Sequence, residues 1–414
     1  MTGSLDGIRI LDLTAVLLGP YATQVLGDMG ADVIKVEAPD GDITRQIGPM
    51  RNPGMGPVYI NANRSKRSIA INLKSPEGQK ALLKIAEGAD VFVHNMRPSA
   101  MARLGLTYED IVKVNPQIVY AGAFGYSQKG PYANWPAYDD LIQGISTLPT
   151  LIARAGDGKP RYVPTALADR VTGLWLVNAI LAALLSKGRT GKGQKIDIPM
   201  FETMAAFVLN DHFGGLSFEP PLDKGGYPRQ LSPNRRPYQT KDGYICTLIY
   251  TDKHWRSFFA AIGKADVLEK DPRFASVGKR VQHIDEIYAE VSDILLTRTT
   301  DEWMELLKKA DIPVTPMHDM ESIRHDPHLL ATGFFEDEAH PTEGKLTRMR
   351  VAGDWTGTQP ASTRHAPNLG EHSVEILREA GYADQDIKKL QADHIISTPA
   401  ESEPPKPAKA IAEV

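Results

Sequence analysis

The first 125 residues alternate short apolar runs with helical stretches, and that alternation restricts the chain to one class of core. Residues 8–13 (IRILDL), 31–37, 68–73, 90–94 and 117–123 read as strands. A helix over residues 21–29, with Pro20 in its first turn, separates the first two. Ser75-Pro76-Glu77 opens another that runs to about residue 87. Strands alternating with helices predict an α/β fold with a parallel, Rossmann-like sheet. Such sheets bind ligands beyond the carboxyl ends of their strands. The loop over residues 14–20 and the loop over residues 95–103 are therefore candidate sites.

A second pattern begins near residue 225. A turn at Lys241-Asp242-Gly243 precedes a strand over 244–250, and helices are predicted over 253–262, 280–296 and 300–310. Strand-like stretches over 333–339 and 345–351 and a helix over 373–380 follow. The expected organisation is a large Rossmann-like domain over 1–215, a smaller α+β domain over 225–318, and a C-terminal part over 330–397 that returns to the large domain. Pro-rich stretches over 218–237 and 313–327 are expected to connect the domains. Residues 398–414, rich in Pro, Ala, Glu and Lys, read as a mobile tail. The net charge of −4 gives no reason to expect a nucleic-acid or anionic-membrane partner. The single cysteine, Cys246, excludes an intrachain disulfide and reads as a packed strand thiol. The N-terminus has no signal-peptide pattern, and the longest apolar stretch, 174–185, is too short to span a bilayer, so a cytoplasmic enzyme is expected.

One acidic residue, Asp169, stands at the mouth of a long apolar helix predicted over 170–187, which stops at the Gly/basic turn 188–193. The positive helix end favours the ionised carboxylate. Two readings stand side by side: a helix cap, or a carboxylate nucleophile on a rigid element. Other chemistries are excluded by motif. Thr14-Ala-Val-Leu-Leu-Gly-Pro20 has one glycine where a dinucleotide fingerprint needs three. The 188–194 turn ends a helix and lacks a phosphate-loop pattern. His325 and His328 have metal-like spacing, but Pro327 breaks the helix that would align them. No G-x-S-x-G elbow is present. With Lys74, Arg97 and Arg103 nearby, the residues alone describe a Rossmann-like enzyme using Asp with a phosphorylated ligand.

Seven blocks then resemble, in order, the class III coenzyme A transferases, which include formyl-CoA and carnitine CoA-transferases. They begin with LDGIRILDLTAVLLGPYATQVLGDMGADVIKVEAPDGDITR at 5–45, NANRSKRSIAINLKSPEG at 61–78 and ADVFVHNMRPSAMARLGL at 89–106. GYSQKGPYANWPAYDDLIQG at 125–144 and the Asp169 block at 167–202 follow. HDPHLLATGFF at 325–335 and HAPNLGEHSVEIL at 365–377 close the series. The resemblance implies that Asp169 is the nucleophile. It places coenzyme-binding positions at Val16, Leu17, Leu18, Lys74, Asn95, Met96, Arg97, Arg103, Tyr138 and Asp139. It implies transfer of CoA from an acyl-CoA donor to a carboxylate acceptor through an aspartyl-CoA thioester. Coenzyme A is then a substrate, with no permanently bound cofactor and no metal. It further implies an interlocked homodimer.

Three positions depart from some members: Ala38 where they have Arg, Pro136 where they have Lys, and Ala168 where they have Gly. The 2-methylacyl-CoA racemases of the same superfamily use a His/Asp pair in a Gly-His-Asp segment. Here that stretch reads Pro136-Ala-Tyr138-Asp139, and a phenol with an ordinary pKa of roughly 10 is a poor base at neutral pH. A racemase and a non-catalytic CoA-binding protein are the alternatives. For the acceptor, Arg170, Arg235 and Arg236 are candidate cations, favouring a C4–C5 dicarboxylate such as succinate.

Overall fold

Six strands follow one another in the order the alternation predicts. In a computed structural model that describes residues 3–399, they are β1 (Arg9–Leu13), β2 (Asp32–Glu37), β3 (Lys66–Ile71), β4 (Val91–His94), β5 (Val119–Phe124) and β6 (Gln194–Pro199). They pair in parallel in the spatial order 3-2-1-4-5-6. The order reverses between β1 and β4, where Leu13 pairs with His94. Ligand crevices form at such a reversal, because the connections after the two strands leave to opposite faces. The expected loops after β1 and β4 thus meet at one place.

β3 begins two residues before the predicted run. Lys66 and Arg67 break the apolar pattern, yet both lie in the strand because their charges are paired inside the fold. The helix after β1 spans Leu18–Asp28, starting three residues earlier than predicted. Pro20 fits there because first-turn N–H groups have no helical partner to lose.

The helix carrying Asp169 spans Leu167–Thr190, longer at both ends than predicted. It runs through Gly188 and stops at Gly191, whose φ of 69° provides the left-handed cap. By length and composition its 24 residues are enough to cross a membrane, unlike the shorter stretch read from the sequence. Here it packs instead against the Leu18–Asp28 helix and against β5 and β6. Lys187 pairs with Asp90 at 2.8 Å. At the crossing, a Cβ on Gly173 would come within 2.8 Å of the Leu18 carbonyl oxygen.

The chain divides into two compact units. The first runs to Ile142, continues over Pro164–Met204 and resumes at Pro327. The second comprises Gln143–Val163 and Ala205–Asp326. This corrects the large-domain boundary expected at 215. Residues 143–163 join the second unit because the Leu148–Ala155 helix packs on the short helix Pro228–Leu231. Residues 205–215 join it because their turns are tied to the following loop: Asp223 accepts from the Gly215 amide, and the His212 ring accepts from the Tyr227 amide. The stretch 218–237 is consequently internal to the second unit rather than a connector.

The second unit holds a three-stranded antiparallel sheet, β7 (Tyr238–Gln239), β8 (Tyr244–Thr247) and β9 (Val314–Pro316). Its core is aromatic, with Trp255, Phe258, Phe259 and Phe274 packed beside Trp303. The helix predicted over 280–296 is two, Val277–Gln282 and Ile284–Leu295, separated at His283. In the first unit, β10 (Phe335–His340) and β11 (Gly344–Met349) form a hairpin, and β12 (Ile396–Ser397) adds antiparallel to β3. From residue 400 on, the predicted tail lies outside the described residues.

Gly173→Val should separate the two crossing helices and cost about 1–3 kcal/mol, read by urea denaturation. Unchanged stability would show that the crossing is looser than described.

Candidate active site

At the β1/β4 reversal lies a cavity of about 340 Å³. It is lined by residues 15–18, 95–98, 123–125 and 135–138, with Asp169 and Met200. Val16, Leu17, Leu18, Asn95, Met96, Arg97 and Tyr138 thus come together with Asp169. Lys74 and Arg103 do not line this cavity; both are exposed, beyond the ends of β3 and β4. Asp139 also lies outside the lining, but its Oδ1 accepts from the Asp169 amide at 2.9 Å.

That contact supplies the first-turn acceptor that the helix's own cap residue lacks. The helix cap position is Ala166, whose side chain makes no capping bond, and Asp169 is the third residue inside. Asp139 accepts from the backbone amide of the first turn instead. Asp169 itself lines the cavity. Its pKa is pushed up to about 7, chiefly by burial and then by the Asp139 charge, against a lowering by Arg170. This corrects the expectation that the helix end simply keeps it ionised. Arg170 turns its guanidinium over the Tyr21 ring, 4.3 Å from the centroid. Arg235 and Arg236 are exposed in the second unit.

The loop after β1 is held by side chains from four directions. Asp12 accepts from the Thr14 amide at 2.9 Å and from its hydroxyl. Lys35 donates to the Thr14 carbonyl at 3.0 Å. Asn95 grips Ala15 twice, accepting from its amide at 3.0 Å and donating to its carbonyl at 2.7 Å. Asp42 accepts from the Val16 amide at 3.2 Å. Asn95, expected to touch coenzyme, is therefore engaged with backbone through both ends of its carboxamide. Among the described residues, the amides of Leu17 and Leu18 form no hydrogen bond.

Beneath this loop the pairs are fully buried. Lys35 contacts Asp42 at 3.0 Å, and Lys66 contacts Asp12 at 3.1 Å. Burial alone would raise the Asp12 carboxyl, but the charges of Lys66 and Lys35 and bonds from Thr14 and Thr23 outweigh it and hold it below its ordinary value. Burial pushes Lys66 down to about 8. Sequence reading missed this network, although Asp12, Lys35 and Lys66 interrupt otherwise apolar strands of the kind buried on both faces.

Trp135, half-exposed at 52%, stacks on Tyr132 with centroids 4.2 Å apart and faces the same cavity. Tyr138 is 66% exposed. His94, at the end of β4, does not line the cavity; burial pushes it down to about 4. At the opposite strand ends, a polar cavity of about 300 Å³ carries ion pairs of Arg9 and Arg67 with Asp32, Glu375 and Glu379. Among the described residues no group of three His, Cys, Asp or Glu is placed to hold a metal.

The Rossmann-like sheet thus places Asp169, on its helix, in a cavity at the strand-order reversal. The chain belongs to CoA-transferase family III, whose profile it matches over residues 5–373. It is a CoA-transferase. It is similar to an acyl-CoA transferase of Fusarium pseudograminearum, 34% identical over 95% of this chain and 88% of that one. It also resembles human succinyl-CoA:glutarate CoA-transferase, 32% identical over 95% and 90%. Formyl-CoA:oxalate CoA-transferase of Escherichia coli is 31% identical over 96% and 100%. A CaiB/BaiF family protein from Brucella suis has the same fold, with a TM-score of 0.77 at 30% identity over 92% of this chain and 100% of that one.

Asp12→Asn leaves Lys66 buried without its counter-charge and should cost about 3–5 kcal/mol at pH 7. Carboxylates held below their ordinary pKa stabilise the fold above that ordinary value, and this is lost as pH falls through the folded value. The stability gap between wild type and Asp12→Asn should therefore narrow below about pH 4. A gap constant with pH would show that the charge is not what Asp12 contributes.

Proposed function

We propose that the chain moves CoA from an acyl-CoA donor to a dicarboxylate acceptor through a covalent intermediate on Asp169. The observation that carries this reading is that Asp169, in the first turn of its helix, lines the cavity together with the residues the resemblance assigns to coenzyme. An Asp169 oxygen attacks the thioester carbonyl, forming an acyl–aspartyl anhydride and expelling CoA thiolate. The thiolate attacks the aspartyl carbonyl, giving an aspartyl-CoA thioester and releasing the donor acid. The acceptor carboxylate attacks that thioester, forming a second anhydride and thiolate. The thiolate then takes the acceptor's acyl group and frees Asp169. Each step exchanges one acyl bond for another, so no redox cofactor or strong base enters. The Leu17 and Leu18 amides are the donors available to the oxyanions. Residues 16–18, 95–97 and 138 would line the thioester arm, while Lys74 and Arg103 meet the coenzyme's phosphates farther out.

A dicarboxylate acceptor is supported by the relatives' names, which pair succinate with glutarate and formate with oxalate. Against a racemase stands the lining itself, which among the described residues contains Tyr138 and no histidine. The working form we propose is a cytoplasmic homodimer. Supporting the dimer are Trp175, Leu185, Phe207 and Leu222, large apolar side chains left more than half exposed in the single chain.

Hydroxylamine added during turnover should trap label on Asp169, and Asp169→Ala should lose on the order of 10³-fold or more in kcat. Label on another residue, or retained activity, would overturn the assignment. Because the ionised carboxylate is the nucleophile, kcat/KM should rise with pH through about 7 and then level. Asp139→Asn keeps an acceptor for the Asp169 amide but removes a charge that raises Asp169, so the inflection should move to lower pH. Movement to higher pH would contradict this electrostatic account. In an acceptor panel, succinate, glutarate and oxalate should exceed monocarboxylates of equal length; preference for the latter would exclude a dicarboxylate site.

A further inference from the structure

Val16 sits at φ 70°, the left-handed region, which a β-branched residue avoids. Nothing in its own chemistry favours that conformation, so the surroundings impose it. Ala15 before it is fixed by both bonds from Asn95. Its own amide is fixed by Asp42 alone, through distances of 3.2 and 3.3 Å to the two carboxylate oxygens.

Asp42 is 5% exposed and belongs to the turn after β2, far from the nucleophile in sequence. Lys35 anchors its Oδ2 at 3.0 Å. Its Oδ1 is also engaged by the Thr44 amide at 3.0 Å and the Thr44 hydroxyl at 2.8 Å, which caps the short helical turn Ile43–Gln46. Its amide donates to Glu37. The carboxylate is thus doubly employed, at the cap and at Val16.

The conformation at Val16 decides where the next two amides lie. Leu17 and Leu18 both line the cavity that Asp169 faces. A rotation of Val16 to negative φ would re-aim them. We infer that Asp42 is a positioning residue for the reaction: through the Val16 amide it holds the left-handed turn that presents Leu17 and Leu18 to the reacting carbonyl. The inference rests on the CoA-transfer reading of this site. Asp42 does not line the cavity, and its effect runs through one backbone torsion. The pairing makes it selective, since the side chain that caps the 43–46 turn can keep that duty and lose the other.

A double-mutant cycle separates the two duties. Asp42→Ala should lower kcat by about a hundredfold, the scale of an ångström-level misplacement, with KM for the acyl-CoA changing far less. Glycine accepts positive φ without cost. In a Val16→Gly background, the same Asp42→Ala substitution should therefore cost about tenfold or less. Equal losses in both backgrounds would overturn the inference and reduce Asp42 to its cap. Should Asp42→Ala fail to fold, Asp42→Asn serves in the same cycle. Its Oδ1 still caps Thr44, while its Nδ2 replaces the oxygen nearer the Val16 amide with a donor and leaves Val16 only the longer 3.3 Å contact to Oδ1. A crystal structure of Asp42→Asn reads the device without any assay. Val16 at negative φ is expected, and Val16 retained near 70° would refute it even if the CoA-transfer reading itself failed.

Discussion

Two buried ammonium groups shape the carboxyl edge of the sheet on which the site depends. Lys35 and Lys66 are fully enclosed between the strands. Lys66 has a partner for each of its three protons, in Asp12, the Pro20 carbonyl and Asn63. Lys35 joins Asp42 to the Thr14 carbonyl. Buried ion pairs are poor sources of net stability, because desolvation offsets most of the attraction, and apolar residues of like volume often serve as well. What apolar residues cannot do is bind a carbonyl oxygen in a loop. Both lysines reach backbone carbonyls in the segment that leaves β1 and enters the next helix. The physical consequence of the network is therefore the shape of residues 14–20, and stability is its by-product.

The sheet was legible from its alternating runs because parallel strands buried on both faces are written in apolar residues. The meeting of the loops after β1 and β4 follows from topology, and the cavity lies there. What the sequence obscured were places where side chains replace pattern. β3 starts early because charges inside it are paired. The 167–190 helix starts before Asp169, since the acceptor for its first-turn amide comes from Asp139, 30 residues away. Proximity of that kind has no local signal. Nor does the conformation of Val16, whose residue type argues against it. The assignment of Asn95 to coenzyme came from resemblance, and both ends of its carboxamide are engaged with Ala15.

Asp169, the nucleophile we propose, is placed against opposing fields. A helix N-terminus favours its ionised form, as does Arg170, while burial and the Asp139 charge oppose it more strongly. A carboxylate stripped of water reacts more readily with a carbonyl, but the same desolvation reduces the fraction ionised. A value near 7 leaves a large share of the carboxylate charged at neutral pH while keeping it poorly solvated. Asp139 is central to this compromise: the carboxylate that accepts from the Asp169 amide also carries the charge that raises it. An amide or hydroxyl at position 139 could perform the capping alone. A carboxylate there caps and tunes with one group, which ties the start of the helix to the pH at which Asp169 ionises.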